Sequence, residues 1–224
     1  GLKQVGGNIA AFAGASGVGK STLMNALTDA GVLAENKLFA TLDITSRSIE
    51  LPDGRSVMLI DTVGLIRRLP HNLVEAFKST LEEAAAADII LNVQDLSSPE
   101  YEQQANVTRE LLSELGCDGI PVINVMNKAD AAINLDTIFE DENTVIISAR
   151  NKLGFDKLLD CIVKNLPETA KRMKLLVPYD MTAFIGKIRI DGKIFSEEYT
   201  ENGTLIDALV DVKLIKEAEK YISE

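Results

Sequence analysis

The chain has few of the side chains that build histidine-based or thiol-based reaction centres. Its 224 residues include one histidine, His71, two cysteines, Cys117 and Cys161, and no tryptophan. A single histidine argues against a histidine-ligated zinc site and against a nucleophile–histidine triad. The two cysteines lie far apart in the sequence and form no Cys-x-x-Cys pair. The sequence therefore predicts core thiols in a reducing, cytoplasmic compartment.

Long apolar runs and an excess of positive charge are also missing. No run approaches the roughly 18 apolar residues that a membrane-spanning helix needs, and no signal-peptide pattern is visible. The 23 Lys and Arg residues against 34 Asp and Glu residues give a net charge of −11. This charge argues against free nucleic acid or an anionic membrane as a partner of the surface as a whole. A small anionic ligand stays compatible, because a local pocket can be positive.

The chain does contain a regular alternation of strand-like and helix-like stretches. Between residues 8 and 167, short apolar runs alternate with amphipathic segments, and Pro52-Asp53-Gly54-Arg55 is a hairpin turn signal. The pattern predicts an α/β domain with a mostly parallel sheet and one antiparallel hairpin strand.

The alternation ends at Pro167-Glu168, and residues 174–224 are predicted to form a small second α+β domain. Its expected elements are a short strand near Leu175–Val177, a helical or extended stretch, two further strands and a final helix. Residues 1–7 are predicted to be a linker or a boundary remnant.

The most specific motif is the segment Gly14-Ala15-Ser16-Gly17-Val18-Gly19-Lys20-Ser21. It fits the pattern Gly-x4-Gly-Lys-Ser, between an apolar strand and a helix. Its glycines let backbone N–H groups surround phosphate oxygens at the positive end of the helix. Lys20 would supply charge to the β- and γ-phosphates, and the Ser21 hydroxyl would bind Mg²⁺. The alternative is an ordinary glycine-rich turn.

A second motif, Asp61-Thr62-Val63-Gly64, directly follows the predicted strand Ser56–Ile60. An aspartate at the carboxyl end of a strand can hold Mg²⁺ through a water molecule. The Gly64 N–H is free to meet a γ-phosphate. Taken alone, Asp-x-x-Gly is usually a turn, so its position after a phosphate-binding segment carries the prediction.

Two further segments predict which base is bound. The Asp130 carboxylate of Asn127-Lys128-Ala129-Asp130 can accept the N1–H and the 2-amino group of guanine, which adenine lacks. Lys128 can lay its apolar stem along the base. After the last strand, Ser148-Ala149-Arg150 offers a backbone N–H for the guanine O6. Each segment by itself is commonly a surface turn, and the order of all four elements indicates a guanine-nucleotide site.

These four elements, in this order, resemble the Ras-like GTPases, and further segments closely resemble the HflX GTPases among them. The resembling segments are Phe39-Ala40-Thr41-Leu42-Asp43-Ile44-Thr45-Ser46-Arg47, Leu51-Pro52-Asp53-Gly54-Arg55, 61–71, Leu176-Val177-Pro178-Tyr179-Asp180 and 196–203. The resemblance implies a Ras-like P-loop GTPase fold, a mostly parallel six-stranded sheet with helices on both faces, plus the small α+β domain. It places residues 39–43 at GTP.

The resemblance also implies roles for particular residues. Lys20, Thr41 and Gly64 are expected to act in phosphoryl transfer to water, and Mg²⁺ is expected on Ser21, on Thr41 and, through water, on Asp61. The implied function is GTP hydrolysis by a cytoplasmic monomer that binds the large ribosomal subunit and splits stalled or stressed ribosomes. HflX proteins carry an N-terminal domain before this region. We therefore expect this chain to hydrolyse GTP and to bind ribosomes poorly.

Two departures from the family pattern affect catalysis. HflX proteins usually carry Asn where this chain has Gly17, and in related GTPases that Asn helps to hold a potassium ion. Gly17 offers no side chain, which counts against potassium-stimulated hydrolysis and leaves it open. Leu65 stands where Ras-type enzymes carry a water-orienting Gln, so slow intrinsic hydrolysis is expected.

Three alternatives stay open from the sequence. The first is a nucleotide-regulated binding module with negligible turnover. The second is another GTPase, one of ribosome assembly or of tRNA modification. The third is a P-loop ATPase or kinase in which Asn-Lys-x-Asp is coincidental. The remaining polar residues near the second motif have simpler interpretations. His71 is expected at a helix entry, and Arg67 and Arg68 are expected to be solvated.

Overall fold

The structure is a computed structural model, and it describes residues 7–30, 46–61, 85–132 and 140–223. The chain forms two compact units, Gly1–Pro52 with Ser56–Leu166, and Asp53–Arg55 with Pro167–Glu224. The predicted segments 39–43 and 62–71 lie outside the described residues.

The first unit is built on a six-stranded sheet. Its strands are β1 Asn8–Ala13, β2 Ser46–Glu50, β3 Ser56–Asp61, β4 Ile89–Asp95, β5 Val122–Asn127 and β6 Thr144–Ile146. Their order across the sheet is β2-β3-β1-β4-β5-β6. Among the described strands, only β2 runs antiparallel, against β3, and the four other pairings are parallel. The predicted mostly parallel sheet with one antiparallel hairpin strand is confirmed.

Helices cover both faces of this sheet. In the described ranges these helices are α1 Lys20–Ala30, α2 Tyr101–Glu114 and α3 Phe155–Asn165. Neighbouring residues of a strand point to opposite faces, so Leu91 of β4 joins a core with α1 and α3, whereas Ile90 joins one with α2. Burial on both faces explains why β1 and β4, in the middle of the sheet, are largely apolar runs. The carboxyl ends of the parallel strands meet at one edge, where ligands of open α/β sheets bind.

The second unit is a separate small domain with its own apolar core. Its elements are β7 Ala170–Val177, α4 Thr182–Asp191, β8 Lys193–Thr200, β9 Gly203–Asp211 and α5 Ile215–Ala218. The strands form an antiparallel sheet in the order β7-β9-β8. The core residues include Leu175, Phe184, Ile188 and Ile206.

Strand β7 begins at Ala170, earlier than the short strand expected near Leu175. The first half of β7 is rich in charged residues, so its strand pattern is weak in the sequence. Lys171, Arg172 and Lys174 are exposed, whereas Met173 and Leu175 are buried. The stretch expected to be helical or extended before β8 is the helix α4. Within the described residues, no helix is long and apolar enough to cross a membrane.

Candidate functional site

The phosphate-binding segment connects β1 to α1 and holds a buried lysine. Lys20 is the first residue of α1, and its side-chain Nζ donates to the carbonyl oxygens of Gly14 at 3.0 Å and Ala15 at 2.9 Å. Only 7% of Lys20 is exposed. Burial lowers the pKa of Lys20, and the nearby negative charge of Asp61 opposes this by raising it. The segment thus closes around an ammonium group, the donor that phosphate oxygens need.

The Asn127 side chain hydrogen-bonds both to the predicted phosphate-binding segment and to the predicted base-recognition segment. Its side-chain Nδ2 donates to the carbonyl oxygen of Val18 at 2.9 Å, and its Oδ1 accepts from the Ala149 N–H at 3.0 Å. A side chain on Gly19 would place Cβ 2.5 Å from this Nδ2, and Gly19 has φ +100°. Glycine is therefore required at this position by both space and backbone conformation. The first and third motifs are thereby held in one site.

A serine and an aspartate lie together beside the phosphate-binding segment. The Ser21 hydroxyl donates to Oδ2 of Asp61 at 2.6 Å, which joins the start of α1 to the end of β3. The other carboxylate oxygen, Oδ1, is buried and has no hydrogen-bond partner among the described residues. Hydroxyl and carboxylate oxygens are the ligands that Mg²⁺ prefers, so these residues fit that ion.

The same pair cannot complete a metal shell alone. In the described ranges, no group of three or more His, Cys, Asp or Glu side chains could hold a metal ion. Mg²⁺ usually keeps several waters and binds one or two carboxylates together with substrate phosphates. The Ser21–Asp61 pair therefore fits a cation that arrives with a phosphate ligand.

The predicted base-recognition end carries a hydrogen-bonded carboxylate. Asp130 lies in the short turn Ala129–Ala131 that follows β5, and its Oδ1 accepts a 2.5 Å hydrogen bond from the Ser148 hydroxyl. That hydroxyl in turn accepts from the Asn151 N–H at 3.1 Å. Two chain segments that are distant in sequence thus hold one carboxylate in a fixed orientation. Sequence reasoning assigned Ser148 to the site but not this contact.

The backbone N–H groups of the Ser148–Arg150 segment divide into two kinds. Ser148 N–H donates to the Leu153 carbonyl at 3.1 Å, and Ala149 N–H donates to Asn127. The Arg150 N–H has no acceptor among the described residues, and Arg150 is exposed. The segment is predicted to offer one backbone N–H to the base, and the Arg150 N–H is the one left without an acceptor in the described part of the chain.

Asp95 lies beside the predicted site residues Asn127 and Lys128, and the sequence prediction did not include it. It ends β4, lies in register with Asn127 of β5, and its Oδ2 accepts from the Lys128 ammonium at 2.6 Å. Burial raises the pKa of Asp95, but hydrogen bonds from Lys128 and Ser97 outweigh burial, so the pKa lies below its usual value. The sequence did contain a signal for Asp95, since it is an acidic residue at the end of β4, the strand that pairs with β5.

The predicted site residues fall into two groups. The structure brings together the segment 14–21, Asp61, the segment 127–130 and the segment 148–150. The remaining predicted positions lie outside the described residues: Phe39, Ala40, Thr41, Leu42, Asp43, Thr62, Val63 and Gly64.

Residues 9–128, more than half of the chain, match a protein family described as 50S ribosome-binding GTPase. The chain is also similar to curated proteins named GTPase HflX. It is 43% identical to the protein of Caldanaerobacter subterraneus over 96% of this chain and 50% of that protein. It is 47% identical to the protein of Lacrimispora saccharolytica over 92% of this chain and 49% of that protein. The chain thus spans about half the length of these relatives.

Among solved structures, the chain resembles a GTP-binding protein from Sulfolobus solfataricus in complex with GDP. The TM-score is 0.57 at 25% identity, covering 70% of this chain and 52% of that one. This likeness confirms the predicted Ras-like P-loop fold, and the relatives confirm the resemblance to HflX. The match over residues 9–128 and the site at the carboxyl ends of β1, β3 and β5 together show that the chain belongs to the 50S ribosome-binding GTPase family.

Proposed function

We propose that this chain binds GTP together with Mg²⁺ and hydrolyses it slowly, in a protein that acts on the large ribosomal subunit. The observation that carries the proposal is the link through Asn127. That side chain connects the segment holding Lys20 to the segment holding Asp130. One ligand with phosphates at one end and a guanine at the other fits both.

At the phosphate end, Lys20 and backbone N–H groups of the loop would hold the β- and γ-phosphates. Lys20 is buried, and its ammonium now donates to two carbonyl oxygens of the same loop. A charge held in place before the reaction stabilises negative charge on the γ-phosphoryl group without reorganisation. Ser21 and Asp61 would hold Mg²⁺, which bridges phosphate oxygens and neutralises developing charge.

At the base end, Asp130 would accept the two guanine donors, while the Ser148 hydroxyl orients its carboxylate. The Arg150 N–H would donate to the guanine O6, because the two preceding amides donate inside the protein. Adenine presents an amino group where guanine has O6 and lacks the 2-amino group. A carboxylate left without these partners disfavours adenine.

Turnover is proposed to be slow for a reason visible in the sequence. Leu65 cannot orient an attacking water as a Gln does. Thr41 and Gly64 are proposed as the remaining groups around the γ-phosphate, by resemblance to HflX. Potassium is not required in this proposal, since Gly17 has no side chain to offer.

The ribosomal role rests on the matched family and on the names of the relatives. The family is described as 50S ribosome-binding, and the relatives are named GTPase HflX. We propose a cytoplasmic monomer that binds the large subunit and splits stalled or stressed ribosomes. A net charge of −11 disfavours RNA binding by bulk electrostatics, so local patches or other parts of the protein would supply ribosome affinity.

The first test is a set of binding titrations with fluorescent GTP, GDP and ATP, each in the presence of Mg²⁺ and again in the presence of a chelator. The second test measures GTP hydrolysis in the presence and absence of large ribosomal subunits. We expect guanine nucleotides to bind at least about a hundredfold more tightly than ATP. Equal affinity for ATP would overturn the proposal. Tight GTP binding without turnover, even with ribosomal subunits, would instead favour the nucleotide-regulated binding module.

A further inference from the structure

Lys128 is held at both ends of its side chain. Its backbone has φ 63°, a left-handed conformation that is uncommon for a residue other than glycine. At the other end, its ammonium donates to Asp95 at 2.6 Å, while 37% of the side chain is exposed. An unpaired lysine would sample many rotamers, and selecting one of them has an entropic cost. Asp95 therefore selects one direction for the Lys128 stem.

The Asp95 carboxylate is itself firmly placed. Its second oxygen, Oδ1, accepts from the Ser97 N–H at 3.0 Å and from the Ser97 hydroxyl at 2.6 Å. The next backbone N–H, of Leu96, donates to the Asn127 carbonyl at 2.9 Å. The Asp95 side chain is only 15% exposed. The anchor of Lys128 thus belongs to the rigid end of β4 rather than to a loose loop.

Holding Lys128 also holds the turn that carries Asp130. The Lys128 carbonyl accepts from the Ala131 N–H at 2.9 Å, and the Ala129 N–H donates to the Ile147 carbonyl at 3.1 Å. Asp130 lies between these two hydrogen bonds. Any change in the Lys128 backbone would therefore shift the carboxylate proposed to read guanine.

We propose that Asp95 is a positioning residue for guanine recognition that acts through Lys128. The inference rests on the proposed function, because it assigns the Lys128 stem to one face of the bound base. Asp95 need not touch the nucleotide. It fixes an apolar surface for the base and steadies the turn of Asp130.

A double-mutant cycle separates this role from a purely structural one. The variants are Asp95→Asn, Lys128→Met and both together. Methionine keeps an unbranched apolar side chain and removes the ammonium. The readout is the Kd of fluorescent GDP at equilibrium. We expect Asp95→Asn alone to weaken GDP binding about three- to tenfold, since a partly exposed pair contributes modestly.

In the Lys128→Met background, Asp95→Asn should change the Kd by less than about twofold, because its partner is gone. Equal effects in both backgrounds would overturn the inference and indicate a structural role for Asp95. No effect in either background would also overturn it. If the Asp95→Asn variant does not fold, Asp95→Glu replaces it in the same cycle, since glutamate keeps the negative charge but moves the carboxylate.

Controls distinguish this failure from failure of the proposed function. Glu217→Gln disrupts the Lys187–Glu217 pair of the second unit, 3.1 Å long, and should leave the Kd unchanged. If the wild-type chain prefers GTP to ATP and the cycle shows no coupling, only the positioning role is wrong. If the wild-type chain does not bind guanine nucleotides, the proposed function and this inference both fail.

Discussion

The two ends of the candidate nucleotide site are organised differently. At the base end, Asp130, Lys128 and Asn127 each hydrogen-bond to another protein group, so their geometry is set by the protein itself. At the phosphate end, Asp61 accepts from Ser21 through one oxygen, but its other oxygen is buried without a partner among the described residues. Lys20 donates there to two carbonyls of its own loop. In the proposed function, the base end therefore selects by prior shape and the phosphate end by charge.

This contrast has a physical basis. Discriminating guanine from adenine needs donors and acceptors in register, and fixed partners achieve that. Binding a triphosphate needs positive charge and a cation, whose large energies tolerate some rearrangement of side chains. The predictions below break or sharpen the contrast, beginning with the largest expected effect.

Lys20→Ala should weaken GTP binding about a thousandfold, because charge-assisted hydrogen bonds to the β- and γ-phosphates are lost from a buried site. GDP binding should weaken less, since GDP has no γ-phosphate. Equilibrium titration with fluorescent GTP measures the loss of affinity. Lys171→Ala, at an exposed position of β7, is the matched control and should change nothing. A loss below about tenfold would contradict the assignment of Lys20 to the phosphates.

Asp130→Asn should weaken GTP binding about a hundredfold and raise affinity for the xanthine nucleotide, whose 2-oxo group accepts from the new amide. Competition of GTP, xanthosine triphosphate and ATP for the labelled site measures the change in preference. An unchanged order of affinities would remove Asp130 from base recognition. ATP affinity should remain low throughout.

Ser148→Ala should weaken GTP binding about fivefold, the value of one orienting hydrogen bond. The Ser148 hydroxyl donates to Asp130 at 2.5 Å, so its removal leaves the carboxylate present but less well oriented. Preference for guanine over xanthine should persist, which distinguishes Ser148 from Asp130. A Ser148→Ala loss of the same size in an Asp130→Asn background would show that Ser148 does not act through Asp130.

Asp95 should contribute stability that depends on pH. Its pKa lies below the usual value in the folded chain, so its contribution is present above the unfolded-state pKa and is lost as pH falls through the folded pKa. Thermal unfolding of wild type and Asp95→Asn at a series of pH values should therefore show a difference at neutral pH that vanishes in acid. A difference that persists in acid would contradict this sign.

Gly17→Asn should have the smallest effect on affinity, within about twofold, while introducing potassium-stimulated hydrolysis. Gly17 has φ +80°, which Asn tolerates, and an added Cβ would meet nothing within 4 Å. GTP turnover in sodium and in potassium, for wild type and variant, checks this. Potassium stimulation of the wild-type chain would show that the ion does not need a side chain at this position.

Much of the site could be predicted because its motifs are local. The spacing of Gly14, Gly19 and Lys20 describes a single loop whose backbone conformation follows from neighbouring residues. Each motif also follows a strand, and parallel strands bring their carboxyl ends to one edge. The rule explains why Asp61, Asn127 and Ser148, each at or just after the end of a strand, lie at the same edge.

The contacts that orient these groups could not be predicted, because they act through space. Asp95 ends β4 and Lys128 directly follows β5, and nothing in the local sequence pairs them. The same holds for the Ser148 hydroxyl on Asp130 and for Asn127 on Val18. Strand β7 was underestimated for a related reason, since pairing with β9 makes a strand of a charged stretch.

The amino-acid sequence by itself determined the alternation of strands and helices, the order of the four motifs and the chemistry at each. These features follow from backbone preference and periodic burial, which act over a few residues. Only the tertiary structure decided which side chains form the hydrogen bonds that orient the site residues. Hydrogen bonds such as Asp95–Lys128 form between residues that the register of β4 and β5 brings together, and register is a property of the whole sheet.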